Sequence, residues 1–306
     1  MTSHPAKLIV IAGPTGTGKS DLALRLATTL GGEIVNYDSV QIYRGFDIGS
    51  AKPGAEERRI VPHHLYDIVD ADQEFNAADY ARVARDVCSK VRMSILAGGT
   101  FFYLRALLSG LPAMPGRDEA VRTRLRAIAS KPRGAARLHR WLSRIDPPSG
   151  NKIAPGDRHR VERALEVWLA GGKPISSWER GGPEAPPELP SIKIALTLER
   201  ARLNEILDAR VDAMYAAGLV EETRALLERF PATARPFGTI GYKEAAAMVR
   251  GELAPEAAIA ETKRRTRAYA KRQMTWLRSE RNVHWLDAAD KEKTFAAAVR
   301  LIEVER

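Results

Sequence analysis

Residues 13–20 read Gly-Pro-Thr-Gly-Thr-Gly-Lys-Ser and fit the pattern G-x-x-x-x-G-K-[ST]. Such a loop is built for anions. Glycines let consecutive backbone N–H groups point inward, and a helix that starts there adds partial positive charge. Lys19 contributes a full charge, and the Ser20 hydroxyl can join a magnesium shell. Gly13, Pro14, Thr15, Gly16, Thr17, Gly18, Lys19 and Ser20 are therefore the candidate cradle for a phosphate or diphosphate, with magnesium as the expected cofactor. The bland alternative is a glycine turn with a chance lysine.

The motif does not name its ligand. Nucleoside triphosphatases usually add an apolar strand ending in Asp for magnesium. Here the clearest later strand ends Ala97-Gly98-Gly99-Thr100, without an acid, and Leu65 to Asp70 offers acids only in a segment of mixed character. A guanine-specifying N/T-K-x-D motif is absent. These absences count strongly against a GTPase and moderately against an ATP-dependent kinase, although the loop itself is the nucleotide-binding type common in ATP-binding proteins.

Two further polar residues follow strand candidates. Asp38 comes after Ile34-Val35-Asn36-Tyr37, and Thr100 after Ile95-Leu96-Ala97. In a parallel sheet, strand ends on one edge share a crevice with the glycine loop. A carboxylate there could bind magnesium, act as general base toward an incoming nucleophile, or merely cap a helix. The Thr100 hydroxyl could donate to a phosphate oxygen or orient a substrate, or belong to an ordinary turn.

The elements that would position these groups are legible in outline. Residues 7–12 read as a buried strand and 19–30 as a helix ended by Gly31-Gly32. Residues 77–92 look helical, and Ile192 to Leu198 and Val283 to Leu286 return to strand character. This alternation predicts an α/β fold with a parallel sheet covered on both faces. Near Leu111 to Gly116 the pattern changes to helix-like and arginine-rich until about residue 180, and residues 181–190 read as a linker. The simplest architecture is one α/β core, residues 1–115 with 191–306, interrupted by a mainly helical insert at 116–190.

Composition narrows the partners. The chain has 306 residues, 44% of them apolar, enough for one large domain or two moderate ones. No apolar stretch is long enough for a bilayer span, and Met1 to Pro5 lacks the pattern of a secretion signal, so a cytoplasmic setting is expected and no membrane partner. One cysteine, Cys88, excludes an intrachain disulfide or a multi-cysteine metal cluster, and His63-His64 lack the spacing of a metal site. The formal charge of +10 suggests a polyanion, nucleic acid first. The basic residues gather in two places. The insert holds Arg122, Arg124, Arg126, Lys131, Arg133, Arg137, Arg140, Arg158, Arg160 and Arg163, and near the C-terminus Lys263, Arg267, Lys271, Met274 and Arg278 recur at spacings of three and four. Such clusters suit RNA phosphates, which add affinity and salt dependence but little sequence choice.

The segments "GPTGTGKS", "DSVQIYRGFDIGSAKP", "PHHLYDI", "AGGTFFYLRALLSGL", "DRHRVERALEV" and "AKRQMTWLR" occur in an order that resembles the tRNA dimethylallyltransferases, the isopentenyl-tRNA transferase family, over about residues 8–287. The resemblance implies a nucleoside-kinase-like α/β core with a helical insert that grips the anticodon stem-loop, usually in a monomer. It implies transfer of a dimethylallyl group from dimethylallyl diphosphate to N6 of the adenosine 3′ to the anticodon, tRNA position 37, with release of diphosphate. It makes Asp38 the base and Arg210 a second cation at the diphosphate. It places Asp38, Ser39, Val40 and Gln41 at a flipped-out adenosine, with Thr100 close by. It puts Arg122, the stretch His159, Arg160, Val161, Glu162 and Arg163, and Gly241-Tyr242-Lys243 at the tRNA; the Tyr242 ring itself could stack on a base or belong to the core, and the core is the expectation. Arg235 to Gly238 departs from the family pattern. A small-molecule kinase and a nucleotide-gated RNA-binding protein are the rival readings.

Overall fold

The computed structural model describes residues 7–181 and 189–305. Most of the segment read as a linker, residues 182–188, and the first six residues lie outside the described part. The chain forms two compact units, one of residues 1–108 with 189–306 and one of 109–188.

The larger unit begins β1 (Lys7–Ala12), α1 (Lys19–Leu30), β2 (Glu33–Asn36), α2 (Ala55–Ile60), β3 (His63–His64), α3 (Ala77–Lys90), β4 (Met93–Ala97) and α4 (Phe101–Ser109). It resumes with β5 (Ser191–Thr197), followed by α10 (Arg200–Ala216), α11 (Leu219–Arg229), α12 (Tyr242–Val249), α13 (Pro255–Leu277), β6 (Val283–Asp287) and α14 (Lys291–Val304). Six strands form one parallel sheet in the order β3-β2-β4-β1-β5-β6. The fold is α/β, as the alternation of apolar runs and amphipathic helices predicts.

β1 lies inside the sheet, with Ile9 opposite Ile95 of β4 on one side and Ile192 of β5 on the other. Both its faces are covered, which is why Leu8 to Ala12 is an unbroken apolar run. α1 packs Leu22, Ala23, Leu26 and Ala27 onto the sheet core with Ile9, Ile95 and Ile194. Gly31 ends α1 at φ 65°, a left-handed conformation that glycine adopts without a Cβ penalty. The strand order reverses around β1, so the loops after β1, β2 and β4 meet at one edge of the sheet.

β3 was not legible as a strand. It is two residues long and lies at the sheet edge, paired with β2. His64 Nε2 lies 2.5 Å from Glu33 Oε2, so this histidine braces the edge. Cys88 is buried in α3.

The smaller unit contains α5 (Glu119–Ala129), α6 (Gly134–Ile145), α7 (Pro147–Lys152), α8 (Arg158–Gly171) and α9 (Ile175–Gly181). Its own core is Leu125, Leu138, Leu142, Ile153, Val161, Ala164 and Leu165. α8 starts at Asp157, whose carboxylate accepts from the Arg160 N–H as an N-cap. No helix among the described residues is long and apolar enough to cross a membrane.

Candidate active site

The glycine-rich loop links β1 to α1 at the sheet edge. Gly13 sits at φ 146°, and a Cβ built there would lie 2.8 Å from Thr17 Oγ1 and 2.9 Å from the Leu196 carbonyl oxygen. Only glycine lets the backbone pass so close. At the far end Gly18 caps α1 at φ 81° without any side-chain hydrogen bond. The first N–H groups of the helix are therefore left for an outside acceptor. Thr17 Oγ1 and Lys19 Nζ both donate to the Pro14 carbonyl, at 2.9 and 2.8 Å.

Asp38 follows β2 on the same edge. Its backbone N–H donates to Asn36 Oδ1 at 2.8 Å, while Asn36 Nδ2 donates to the Leu65 carbonyl at 2.9 Å. The carboxylate Oδ1 accepts from the Val40 N–H at 2.8 Å and from the Gln41 N–H at 3.4 Å. Oδ2 faces the turn after β4, where a Cβ built on Gly99 would stand only 2.9 Å away. Thr100 is coupled to the same loop: its hydroxyl accepts from the Ser39 N–H and donates to Ser39 Oγ, both at 3.0 Å. Gln41 is turned inward, with Nε2 donating to the carbonyls of Ser50 and Ala51 at 3.0 and 3.1 Å.

Three charges meet here without ordinary partners. Among the described residues none of Lys19, Asp38 and Arg210 forms an ion pair. The Lys19 ammonium is lowered to about 7, first by burial and then by the Arg210 charge, with Asp38 opposing the shift. Burial raises the Asp38 carboxyl above the usual carboxylate range, against the pull of the Val40 and Gln41 N–H groups and of Lys19 and Arg210. Burial also lowers Arg210, and Asp38 counters it. Arg210 is thus no freely solvated helix arginine. With Gly16, Thr17, Gly18, Arg202 and Ile206 it lines a cavity of about 350 Å³ beside the loop. Lys19 and Asp38 do not line that cavity, but the three groups act on one another electrostatically, and perturbed charges of both signs close together are the pattern of a candidate functional site.

Magnesium has few protein ligands to choose from. Among the described residues no group of three or more His, Cys, Asp and Glu could hold a metal ion. The exposed Ser20 in the first turn of α1 fits a single ligand to an ion held mainly by a bound diphosphate.

The basic stripe marks α13 as a long helix, but Gln273 and Tyr269, the two side chains by which it ties the two halves of the site together, carry no local sequence signal of that role. Gln273 of α13 accepts the Thr15 N–H on Oε1 at 2.8 Å and donates from Nε2 to the Gly99 carbonyl at 2.9 Å. Tyr269 donates to the same carbonyl at 2.7 Å. Both are reached across more than a hundred residues, so no local pattern betrays them. The only signal was the segment "AKRQMTWLR", whose basic residues drew attention away from its glutamine.

The basic clusters are less free than their composition suggests. In the smaller unit, Glu166 is fully buried. It accepts from Arg122 Nε at 2.8 Å and Nη2 at 3.1 Å, from Arg163 Nη1 at 2.8 Å and from the Asp118 N–H at 2.8 Å. Arg163 Nη2 also donates to the Pro115 carbonyl at 2.7 Å. Arg124, Lys131, Arg133, Arg137, Arg140, His159 and Arg160 remain exposed. In the C-terminal stripe Lys263 pairs with Asp212 and Arg267 with Asp208, both on α10, whereas Lys271 and Arg278 stay exposed. Two segments expected at tRNA contain buried members. Val161 belongs to the core of the smaller unit. Tyr242 is fully buried against Phe46, with its hydroxyl donating to Glu222 Oε1 at 2.6 Å and accepting from the Gly49 N–H. Neither side chain is available to RNA as it stands; the exposed neighbours Arg160 and Lys243 are.

A model of the IPP transferase family matches residues 41–280. This chain belongs to that family. It is 44% identical over 298 residues to the tRNA dimethylallyltransferase of Geobacter metallireducens, covering 96% of each chain. It is 48% identical over 284 residues to that of Solibacter usitatus, covering 91% of this chain and 92% of the relative. Among solved structures, it resembles the full-length tRNA isopentenylpyrophosphate transferase of Bacillus halodurans at TM-score 0.70 and 36% identity, covering 98% and 99% of the two chains. It resembles a eukaryotic dimethylallyltransferase acting on tRNA at TM-score 0.79 and 28% identity, covering 96% of this chain and 77% of that one. As a member of the IPP transferase family the chain is an enzyme, a prenyltransferase.

Proposed function

We propose that the chain moves a dimethylallyl group from dimethylallyl diphosphate to N6 of the adenosine at tRNA position 37, with Asp38 as general base and the glycine-rich loop as cradle for the departing diphosphate. Prenyl transfer to tRNA follows from family membership; the roles of individual residues are our reading. The observation that carries it is the meeting of Lys19, Asp38 and Arg210, three desolvated charges without ion-pair partners among the described residues, at one sheet edge.

An exocyclic adenine amine is a weak nucleophile because its lone pair is delocalised into the ring. As N6 bonds to the allylic carbon, the C–O bond to diphosphate breaks and its electron pair leaves with the diphosphate. The N6 proton passes to the Asp38 carboxylate. A carboxyl pushed upward by burial accepts a proton more readily, which suits it to this task. Charge develops on the leaving oxygen, and donors already in place stabilise it without reorganising. Lys19, Arg210, the free N–H groups at the start of α1, the Thr15 hydroxyl and the loop from Gly16 to Ser20 supply them, while the Thr15 N–H stays with Gln273. Magnesium held by Ser20 and the diphosphate would screen the same charge.

Ser39, Val40, Gln41 and Thr100 border the carboxylate and form the pocket wall for an unstacked adenosine. The exposed arginines of the helical unit, with His159, supply contacts to the anticodon stem-loop phosphates. Arg122 and Arg163 act there as braced cations, each offering its remaining donors.

The test is incubation of the protein with labelled dimethylallyl diphosphate, magnesium and unmodified tRNA, followed by nucleoside analysis. N6-dimethylallyladenosine at a single position is the expected product. Label on another nucleoside, or none on tRNA, defeats the reading.

A further inference from the structure

We infer that Gln273 is a positioning residue for the transfer reaction: its one amide sets the spacing between the glycine-rich loop and the Asp38 edge. The inference rests on the proposed roles of the loop and Asp38.

The chemistry fixes which end of the amide faces which partner. The Thr15 N–H can only donate and the Gly99 carbonyl can only accept. Oε1 must therefore face Thr15 and Nε2 must face Gly99, as observed at 2.8 and 2.9 Å. Gln273 is only 3% exposed, so water does not substitute for either bond. Glutamate offers no donor to Gly99, and methionine has the length but neither hydrogen-bonding group.

The bridge touches both halves of the site. Thr15 belongs to the loop that would hold the leaving group. Gly99 is the residue whose Cα approaches Asp38 Oδ2 so closely that a Cβ would stand 2.9 Å from it, and its neighbour Thr100 bonds Ser39. Gly99 is held a second time by Tyr269, one turn earlier on α13, at 2.7 Å. One turn later Trp276 stacks on Phe101 at the start of α4, ring centroids 4.6 Å apart and interplanar angle 2°. α13 therefore acts as a splint. The Asp38 edge is held by three side chains, whereas the splint holds the loop through Gln273 alone among the described hydrogen bonds. The reacting carbon has to lie between a leaving oxygen on the loop and N6 at Asp38, and a misplacement of about 1 Å costs roughly 100-fold in rate.

Two variants of the full-length chain test this, with each rate normalised to folded protein. Gln273→Met frees the loop; kcat should fall roughly 100-fold, KM for tRNA should hold, and inhibition by inorganic diphosphate should weaken. Tyr269→Phe removes only one bond to Gly99; kcat should fall less, and diphosphate inhibition should match wild type. A purely structural glutamine would lower the melting temperature of Gln273→Met and leave kcat and diphosphate inhibition of the folded fraction unchanged. That result overturns the inference, as does a Tyr269→Phe enzyme whose diphosphate inhibition weakens while Gln273→Met keeps its own. A wild-type chain that fails to prenylate tRNA would instead overturn the functional reading beneath it.

Discussion

The sheet-edge site and the Glu166 node of the helical unit both gather charge, and they treat it in opposite ways. At the edge, Lys19, Asp38 and Arg210 are desolvated and lack ion pairs among the described residues, so each is pushed away from its ordinary protonation behaviour. At the node, burial pushes the Glu166 carboxyl upward, but Arg122, Arg163 and the Asp118 N–H outweigh it and hold it below the usual range. Unpaired burial keeps charge poised for a ligand that arrives later. Paired burial spends the same electrostatics on holding α5 and α8 together, and leaves RNA contact to cations at the rim.

The contrast breaks most sharply at the loop. Lys19→Met should lower kcat by roughly 100- to 1,000-fold with the fold intact, because among the described residues the ammonium's one hydrogen bond is to the Pro14 carbonyl. Steady-state kinetics beside a thermal melt reads both quantities. At the node the order reverses. Glu166→Ala strands two partly buried guanidinium groups and should destabilise the helical unit by about 3–5 kcal/mol, measured by denaturant unfolding. If Glu166→Ala melts like wild type, the node is not a structural brace.

A smaller effect is expected at the rim. Removing Arg137 and Arg140 together should raise KM for tRNA several-fold, leave kcat unchanged and flatten the dependence of KM on salt. The smallest effect is a proton count. Below pH 7 Lys19 is already charged, so donor binding takes up no proton at that nitrogen; above its value of about 7, a bound diphosphate recruits one. Proton uptake and loss of donor affinity should therefore both grow as pH rises through 7. Calorimetry in buffers of different ionisation enthalpy measures this. Lys19→Arg, charged throughout, should abolish that part of the uptake.

Much of the site was legible because its chemistry is local. Gly13 to Ser20 carry loop, charge and helix start within eight consecutive residues, and Asp38 and Thr100 each lie within three residues of the end of an apolar strand. The sheet was legible because strands covered on both faces must be continuous apolar runs, as Leu8 to Ile11 is. What escaped is long-range and polar. Gln273 meets Thr15 across 258 positions, with no period to announce it. The pairing of Lys263 and Arg267 with Asp212 and Asp208 on α10 turned half of an apparent basic stripe into a helix–helix contact. The two-residue β3 was too short for any alternation to show.

Asp38→Asn gives the most direct test of the central claim. The Asn side-chain oxygen can still accept from the Val40 N–H, so the loop geometry is kept while the base is lost. Asp38 is held above the ordinary carboxylate range, so the folded state binds its proton more tightly than the unfolded chain does. Its ionisation costs stability as pH rises through that window. The variant should therefore melt no lower than wild type at pH 7 and bind tRNA equally well. It should lose transfer by roughly 100- to 10,000-fold. An Asp38→Asn enzyme that prenylates tRNA at the wild-type rate would contradict the account.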